Sequence, residues 1–390
     1  MVGFRKLKLQ SYLQQLKKKI MKNLIPLLLF IATMYSCKKK YVYDTTSKLI
    51  VTEWLQNLET PWQMAFASDG RKFFTERSGK IRVVKNGVLT TWLDLTNIVQ
   101  QGESGLLGIA LDPNFTTNGY MYIAYTYTTP TWRFNNRIVR CKDNSLTNTG
   151  VENVTYIDNV RGQENHNGGP IKIGPDNKIY WTVGDGFNNN LPQDINSLNG
   201  KILRLNLDGT VPADNPFPNS YVYSYGHRNV QGLAWQQGTN TLFATEHGAT
   251  LGVNGTSSAR DEINIIEKGK NYGWPIIEGN QTRAGMETPI WLSGTDFTWA
   301  PAGAIFVKNG KWKGSFLFVG LKGQTLYRAV IDPNNPNKIT KVEEYLKGVF
   351  GRLRDITEAP DGTFYICVTN KDGRGTPKPE DDRIFMLNVE

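Results

Sequence analysis

After residue 48 the chain repeats one short device six times: an apolar stretch, a turn built on Asp, Asn, Pro or Gly, and a strand of aromatic and β-branched residues. The turns are Phe66-Ala67-Ser68-Asp69-Gly70, Leu111-Asp112-Pro113-Asn114, Ile173-Gly174-Pro175-Asp176-Asn177, Trp235-Gln236-Gln237-Gly238, Phe306-Val307-Lys308-Asn309-Gly310 and Glu358-Ala359-Pro360-Asp361-Gly362. The strands that follow include Lys72–Glu76, Tyr120–Tyr125, Lys178–Val183, Thr241–Glu246, Ser315–Val319 and Thr363–Cys367. Asp and Asn bond back to their own backbone in such turns, and Gly supplies the left-handed conformation. No segment after residue 48 carries a long apolar stripe at helical period, so the pattern predicts an all-β protein. Spacings of about 45 to 70 residues between units fit one blade each of a six-bladed β-propeller, with insertions between strands. A large β-sandwich is the alternative, but its strands have no reason to share one turn signature. In a propeller, loops at one end of the central channel converge, so residues distant in sequence can meet there.

A net charge of +10 suggests a polyanion-binding protein until the charge is located. Ten of the 45 Lys and Arg residues lie in residues 1–40, which hold no Asp or Glu; the rest of the chain has 35 basic and 35 acidic residues. A formally neutral body gives no argument for nucleic-acid binding. The basic start reads instead as an address. Met21-Lys22-Asn23 is a short positive region, Leu24–Ala32 is apolar, and Met34-Tyr35-Ser36-Cys37 places a small residue before Cys. This resembles a bacterial lipoprotein signal, with Met34 where such signals usually have Leu. The apolar run is shorter than the roughly 20 residues a membrane-spanning helix needs. The expected organisation is an upstream extension at 1–20, a signal peptide at 21–36, lipidated Cys37 with a tether to residue 47, and the propeller at 48–390. The expected location is periplasmic or at the cell surface, lipid-anchored to a bacterial membrane. Cys141 and Cys367 lie in strand-like surroundings and read as buried free thiols, although an exported protein can pair them. No Cys/His metal spacing occurs.

Only three histidines are present, each in a loop-like block: Glu164-Asn165-His166-Asn167-Gly168-Gly169, Tyr225-Gly226-His227-Arg228-Asn229 and Glu246-His247-Gly248. A lone His in such a turn is more often a satisfied structural residue than a catalyst. Three blocks with cationic loops beside them favour a site. His166 is a candidate general base, and Asp185, in Thr182-Val183-Gly184-Asp185-Gly186, is a candidate to fix its tautomer. Arg228, Lys322, Arg352 and Arg354 bring positive charge from three blades, which suits a polycarboxylate or phosphate ligand. Taken singly, each Arg reads as a surface ion pair of roughly 0–1 kcal/mol. Backbone oxygens around Glu246-His247-Gly248-Ala249 are candidate ligands for a hard cation such as Ca²⁺.

Five blocks then occur in order from about Leu55 to the C-terminus. They are Gly102–Pro113, Gly200–Asn206, Tyr225–Leu233, Asp261–Asn264 with Asn271–Pro275, and Gly351–Asp355. Together they resemble the soluble pyrroloquinoline quinone (PQQ)-dependent glucose/sorbosone dehydrogenases, nearer the compact aldose-dehydrogenase type because the long insertions of the glucose-oxidising members are missing. The resemblance implies a six-bladed propeller and oxidation of an aldose at its anomeric carbon to the lactone. It implies His166 as the base that takes the hydroxyl proton while hydride passes to the quinone, with Asp185 orienting it. It implies Arg228 beside the quinone oxygens, stabilising the charge that develops there. Asn229, Thr298, Lys322, Arg352 and Arg354 match cofactor-holding positions. The carbonyls of Gly248 and Ala249 match ligands of the Ca²⁺ that polarises the cofactor, and Glu262 and Tyr272 fall where some relatives bind a second Ca²⁺. Two substrate-side positions depart from the family. Glu103 stands where Gln is usual, and Asn165 replaces an Asp before the base; a carboxylate at Glu103 can alter sugar preference, raise the pKa of His166 or act as an extra base. The resemblance names a sugar as the small-molecule partner and leaves the electron acceptor unspecified. The competing readings are a non-catalytic binding propeller, which has no need of His166, Asp185 and the cations together, and a calcium-dependent lactonase, which leaves those cations unexplained.

Overall fold

The computed structural model describes residues 39–44, 47–249 and 259–390. Cys37 and the segment before it lie outside the described residues. The chain divides into two units, Met1–Tyr41 and Val42–Glu390. The second unit is a six-bladed β-propeller.

Five blades are antiparallel sheets of four strands in chain order. Their first strands are Pro61–Phe66, Leu106–Leu111, Ile171–Ile173, Val230–Trp235 and Pro301–Phe306. The sixth blade breaks chain order: Leu353–Glu358, Phe364–Val368 and Arg383–Val389 are followed by Lys48–Leu55, taken from the other end of the unit. Leu49 pairs with Val389 and Val51 with Leu387, so the ring is closed by antiparallel hydrogen bonds between its two ends. The first strand of the sixth blade packs on the first strand of the first. All six predicted turns join the first and second strands of a blade, and all six aromatic segments form the second strands. The β-sandwich reading falls with that finding.

Aromatic and branched side chains fill the spaces between neighbouring blades, because each sheet has two faces and no single sheet can bury both. Phe73, Trp92, Phe115 and Tyr125 are buried between the first and second blades. Phe243, Phe306, Phe316 and Phe318 do the same between the fourth and fifth. Cys141 and Cys367 are buried free thiols in separate blades. Among the described residues one helical turn, Phe115–Asn118, interrupts the strands and ends on Gly119 at φ 65°.

Strand alternation fixes where chemistry can sit. Turns between first and second strands emerge at one end of every blade, as do those between third and fourth strands except in the fourth blade, whose long connection, residues 267–290, carries Trp274 to the other end. Links from blade to blade and loops between second and third strands emerge at the other. Glu103, Asn165, His166, Arg228, Thr298 and Arg352 lie on blade-to-blade links, and Asp185, Gly248, Ala249, Lys322 and Arg374 on loops between second and third strands. Topology alone therefore gathers them at one mouth.

Candidate active site

A cavity of about 790 Å³ opens at that mouth. Its wall includes His166, Asp185, Arg228, Thr298, Lys322, Arg352, Glu103, Asn165, Gly248 and Ala249. Ten of the residues singled out from the sequence are thus brought to one space by loops of all six blades.

His166 holds a left-handed backbone at φ 60°, followed by Gly168 at 65° and Gly169 at 122°. The close approach of two loops demands this turn: a Cβ on Gly184 would lie 2.1 Å from the His166 carbonyl. The imidazole Nδ1 lies 2.8 Å from Asp185 Oδ1. Asp185 is itself fixed, because Phe187 N–H donates to Oδ1 at 2.9 Å and Trp274 Nε1–H to Oδ2 at 2.9 Å. An ionised carboxylate only accepts, so Nδ1 carries the proton and Nε2 is left as the basic nitrogen. Nε2 has no partner among the described residues. The Phe187 ring lies 4.2 Å from the imidazole, centroid to centroid, and is exposed at the mouth.

The other histidines have different duties. His227 is fully buried, with Nδ1 against Glu246 at 2.9 Å and Nε2 against Ser224 Oγ at 2.8 Å, and its ring stacks on Tyr272. It is the satisfied structural histidine. His247 lines the cavity but its Nε2–H donates to the Pro301 carbonyl at 2.8 Å, and burial pushes its pKa down.

Positive charge is concentrated and partly unspent. Among the described residues Arg228 and Lys322 have no ion-pair partner, and burial lowers the pKa of the Arg228 guanidinium, which lies over the Trp274 ring. Arg352 Nε meets Asp372 at 2.7 Å. Asn229 and Arg354 do not reach the cavity wall. Asn229 Oδ1 accepts from Gly168 N–H and Gln231 Nε2, and its Nδ2 is buried without a partner. Arg354 lies beneath, among Trp62, Lys172 and Gln231; it donates to Gln231 Oε1 at 2.8 Å, and burial brings its pKa down to about 10.

Asp261, passed over in the sequence except as part of a block, organises the far wall. Its Oδ1 accepts from Gly248 N–H at 2.9 Å, and its Oδ2 from the Thr298 hydroxyl at 2.7 Å and Ala300 N–H at 2.9 Å. The Thr298 hydroxyl proton is therefore already committed. Among the described residues no donor reaches the Gly248 or Ala249 carbonyls, which leaves both available to a cation. Glu262 and Tyr272 line a small adjoining pocket that shares Gly248 and Ala249 with the main cavity. Burial, then Glu246, push the Glu262 carboxyl up, and the Tyr272 hydroxyl donates to the Ile265 carbonyl.

Glu103 faces the base from the other side. Its Oε2 accepts the His166 backbone N–H at 3.2 Å. Burial alone would raise its pKa, but His247, His166 and Arg374 together hold it down at about 2. Arg374 was missed in the sequence; its loop, Lys371-Asp372-Gly373-Arg374-Gly375, has only two adjacent glycines to distinguish it.

An oriented imidazole and cations without ion-pair partners line one propeller cavity, an arrangement suited to proton transfer beside an anionic partner. The sequence profile of the Glucose / Sorbosone dehydrogenase family matches residues 58–376, and the chain belongs to that family. It is 29% identical to aldose sugar dehydrogenase YliI of Escherichia coli, over 81% of this chain and 89% of the relative. It is also 29% identical to quinoprotein glucose dehydrogenase B of Acinetobacter calcoaceticus, over 82% and 85%. The PQQ-bound aldose sugar dehydrogenase of Streptomyces coelicolor superposes with a TM-score of 0.77 at 34% identity, covering 90% of this chain and 99% of that one.

Proposed function

We propose that the protein oxidises an aldose at its anomeric carbon to the lactone, with PQQ and Ca²⁺ as cofactors. The observation that carries this reading is His166 Nε2, oriented by Asp185, on the same cavity wall as Arg228, Lys322 and Arg352. The donor set fits the cofactor: PQQ is a flat tricarboxylate, and Arg228 and Lys322, on the cavity wall and without an ion-pair partner among the described residues, are the cations such an anion requires. Arg228, Lys322 and Arg352 would hold it from the wall, where Thr298 could only accept, while Asn229 and Arg354 lie behind that wall. The carbonyls of Gly248 and Ala249, to which no described residue donates, would hold Ca²⁺, and the Glu262 carboxylate, beside Tyr272, a second one. When bound, PQQ would supply a two-electron acceptor for the hydride lost from the sugar.

His166 Nε2 takes the proton of the anomeric hydroxyl as the C1 hydrogen departs. Asp185 stabilises the imidazolium that results and prevents the ring from turning. Arg228 stays charged throughout, a fixed cation where negative charge develops. Export and lipidation at Cys37, giving a periplasmic or surface location, belong to the same proposal and rest on residues 21–37 of the sequence. The test is reconstitution of purified apoprotein with PQQ and Ca²⁺, followed by sugar-dependent reduction of an artificial electron acceptor. His166→Ala should lower kcat at least about a hundredfold while PQQ still binds. Tight PQQ binding with no oxidation across a broad panel of sugars overturns the reading.

A further inference from the structure

Three loops from different places in the ring meet at one guanidinium. Arg374, between the second and third strands of the sixth blade, donates Nη1 to Glu103 Oε1 and Nη2 to Asn165 Oδ1, both at 2.6 Å. Glu103 lies on the link from the first to the second blade and Asn165 on the link from the second to the third. The same Glu103 carboxylate accepts the His166 backbone N–H, so the fork of Arg374 is one bond removed from the segment that carries the base. All three side chains line the cavity. The Arg374 side chain is 48% exposed and that of Glu103 is 18%.

An ion pair this exposed adds little to stability. Its effect is on charge. Asp185, the other carboxylate beside His166, is spent on the imidazole, Phe187 and Trp274. Without Arg374, Glu103 would lose its one direct ion pair among the described residues and present a stronger negative charge to any ligand on this wall. Arg374 is also poorly placed to grip a cofactor carboxylate, since both of its terminal nitrogens are occupied and Glu103 repels a second anion.

We propose that Arg374 is a positioning and specificity residue of the sugar site: it cancels the charge of Glu103 and clamps the Asn165–His166 segment, so that the wall beside the base selects uncharged sugars. The specificity half rests on the cavity being a sugar-oxidising site. Discrimination of this kind comes from charges left unpaired with the wrong ligand.

The experiment compares the wild type with Arg374→Gln, Glu103→Gln and the double variant, each loaded with PQQ and Ca²⁺. Substrates are glucose, glucosamine and glucuronate at about pH 6, where the amine of glucosamine is protonated. Arg374→Gln should raise kcat/KM for glucosamine relative to glucose about tenfold, mainly through KM. Glu103→Gln should raise the glucuronate ratio similarly. The double variant should bring both ratios back to within about twofold of the wild type. Ratios unmoved in both single variants overturn the specificity role. Hydrogen exchange on the apoprotein reads the clamp without any activity. The amides of Glu103 and Ser104, bonded to the Glu164 carbonyl, and of His166 should exchange faster in Arg374→Gln and unchanged in Arg328→Gln, on the outer part of the fifth blade. Unchanged exchange in Arg374→Gln overturns the positioning role whatever the enzyme oxidises. Arg374→Lys should keep the charge ratios but lose the protection, because an ammonium cannot bridge two partners as a planar fork does. A wild-type holoenzyme that oxidises no sugar overturns the reading of the site and with it the specificity role, and leaves the exchange to decide the clamp.

Discussion

Asp185 spends both carboxylate oxygens on three donors, and its replacement separates orientation from packing. Asp185→Asn keeps the volume, but its amide can present N–H to Nδ1 and invert the tautomer of His166. The expected loss in kcat is about a hundredfold to ten-thousandfold with little change in PQQ affinity, measured by steady-state kinetics and cofactor titration. Glu103 makes a prediction about stability. Its carboxyl is held at about 2 against an ordinary 4.5, so the folded state gains from its ionisation above pH 4.5 and loses that gain as pH falls toward 2. In acid-unfolding titrations Glu103→Gln should flatten this low-pH loss, and an unchanged acid limb would refute the assignment. The sequence exposed these residues unevenly. His166 and Asp185 stand in Gly- and Asn-rich blocks whose composition marks a loop that must take a left-handed turn. Arg374 carries no such mark, because its partner Glu103 is 271 residues away and only the closed ring brings them together.

At the scale of the element, the contact between first and second blades shows how a short strand is committed to its place. Arg71, only 2% exposed, donates to both oxygens of Asp143 at 2.9 and 2.8 Å, and Trp92 Nε1–H donates to the same carboxylate at 2.7 Å. The Trp92 ring then covers Gly150, where an added Cβ would lie 2.2 Å from it. Gly150→Ala should destabilise the protein by about 1–3 kcal/mol through overpacking, read as a lower denaturation midpoint with an unchanged slope. The second strands were legible because a turn signal precedes each aromatic run. The partner of Arg383–Val389 was not: Lys48–Leu55 shows only the β-branched and aromatic residues of an ordinary strand, and nothing local says that its neighbour is at the opposite end of the chain. The helical turn Phe115–Asn118 was likewise hidden, being too short to show a period.

At the scale of the molecule, the two ends of the propeller have separate duties. The mouth that gathers His166, Arg228, Lys322, Arg352 and Arg374 is made of blade-to-blade links and second-to-third-strand loops, joined by Trp274 from the long third-to-fourth-strand connection of the fourth blade. The opposite end is made of hairpins such as Pro360-Asp361-Gly362, which touch none of them. Closure already brings the ends together, since Glu390 N–H donates to the Lys48 carbonyl at 2.9 Å and the Lys48 ammonium meets the Glu390 carboxylate at 2.7 Å. A circular permutant that joins Glu390 to Lys48 through a short flexible linker, with new termini at Asp361, should therefore keep the loops of the mouth intact. It moves the break in the chain to a tight turn at the far end, where new termini are best tolerated. Sugar oxidation by the reconstituted permutant should stay within about threefold of the parent, at a modest loss of thermal stability. A second permutant, cut instead between Gly373 and Arg374, should fold to the same circular-dichroism spectrum yet lose most of its activity, because the clamp on the His166 segment is then a free chain end. Equal activity in the two permutants would mean that the mouth does not depend on its loops being held from all sides, and the division of labour between the two ends would fail.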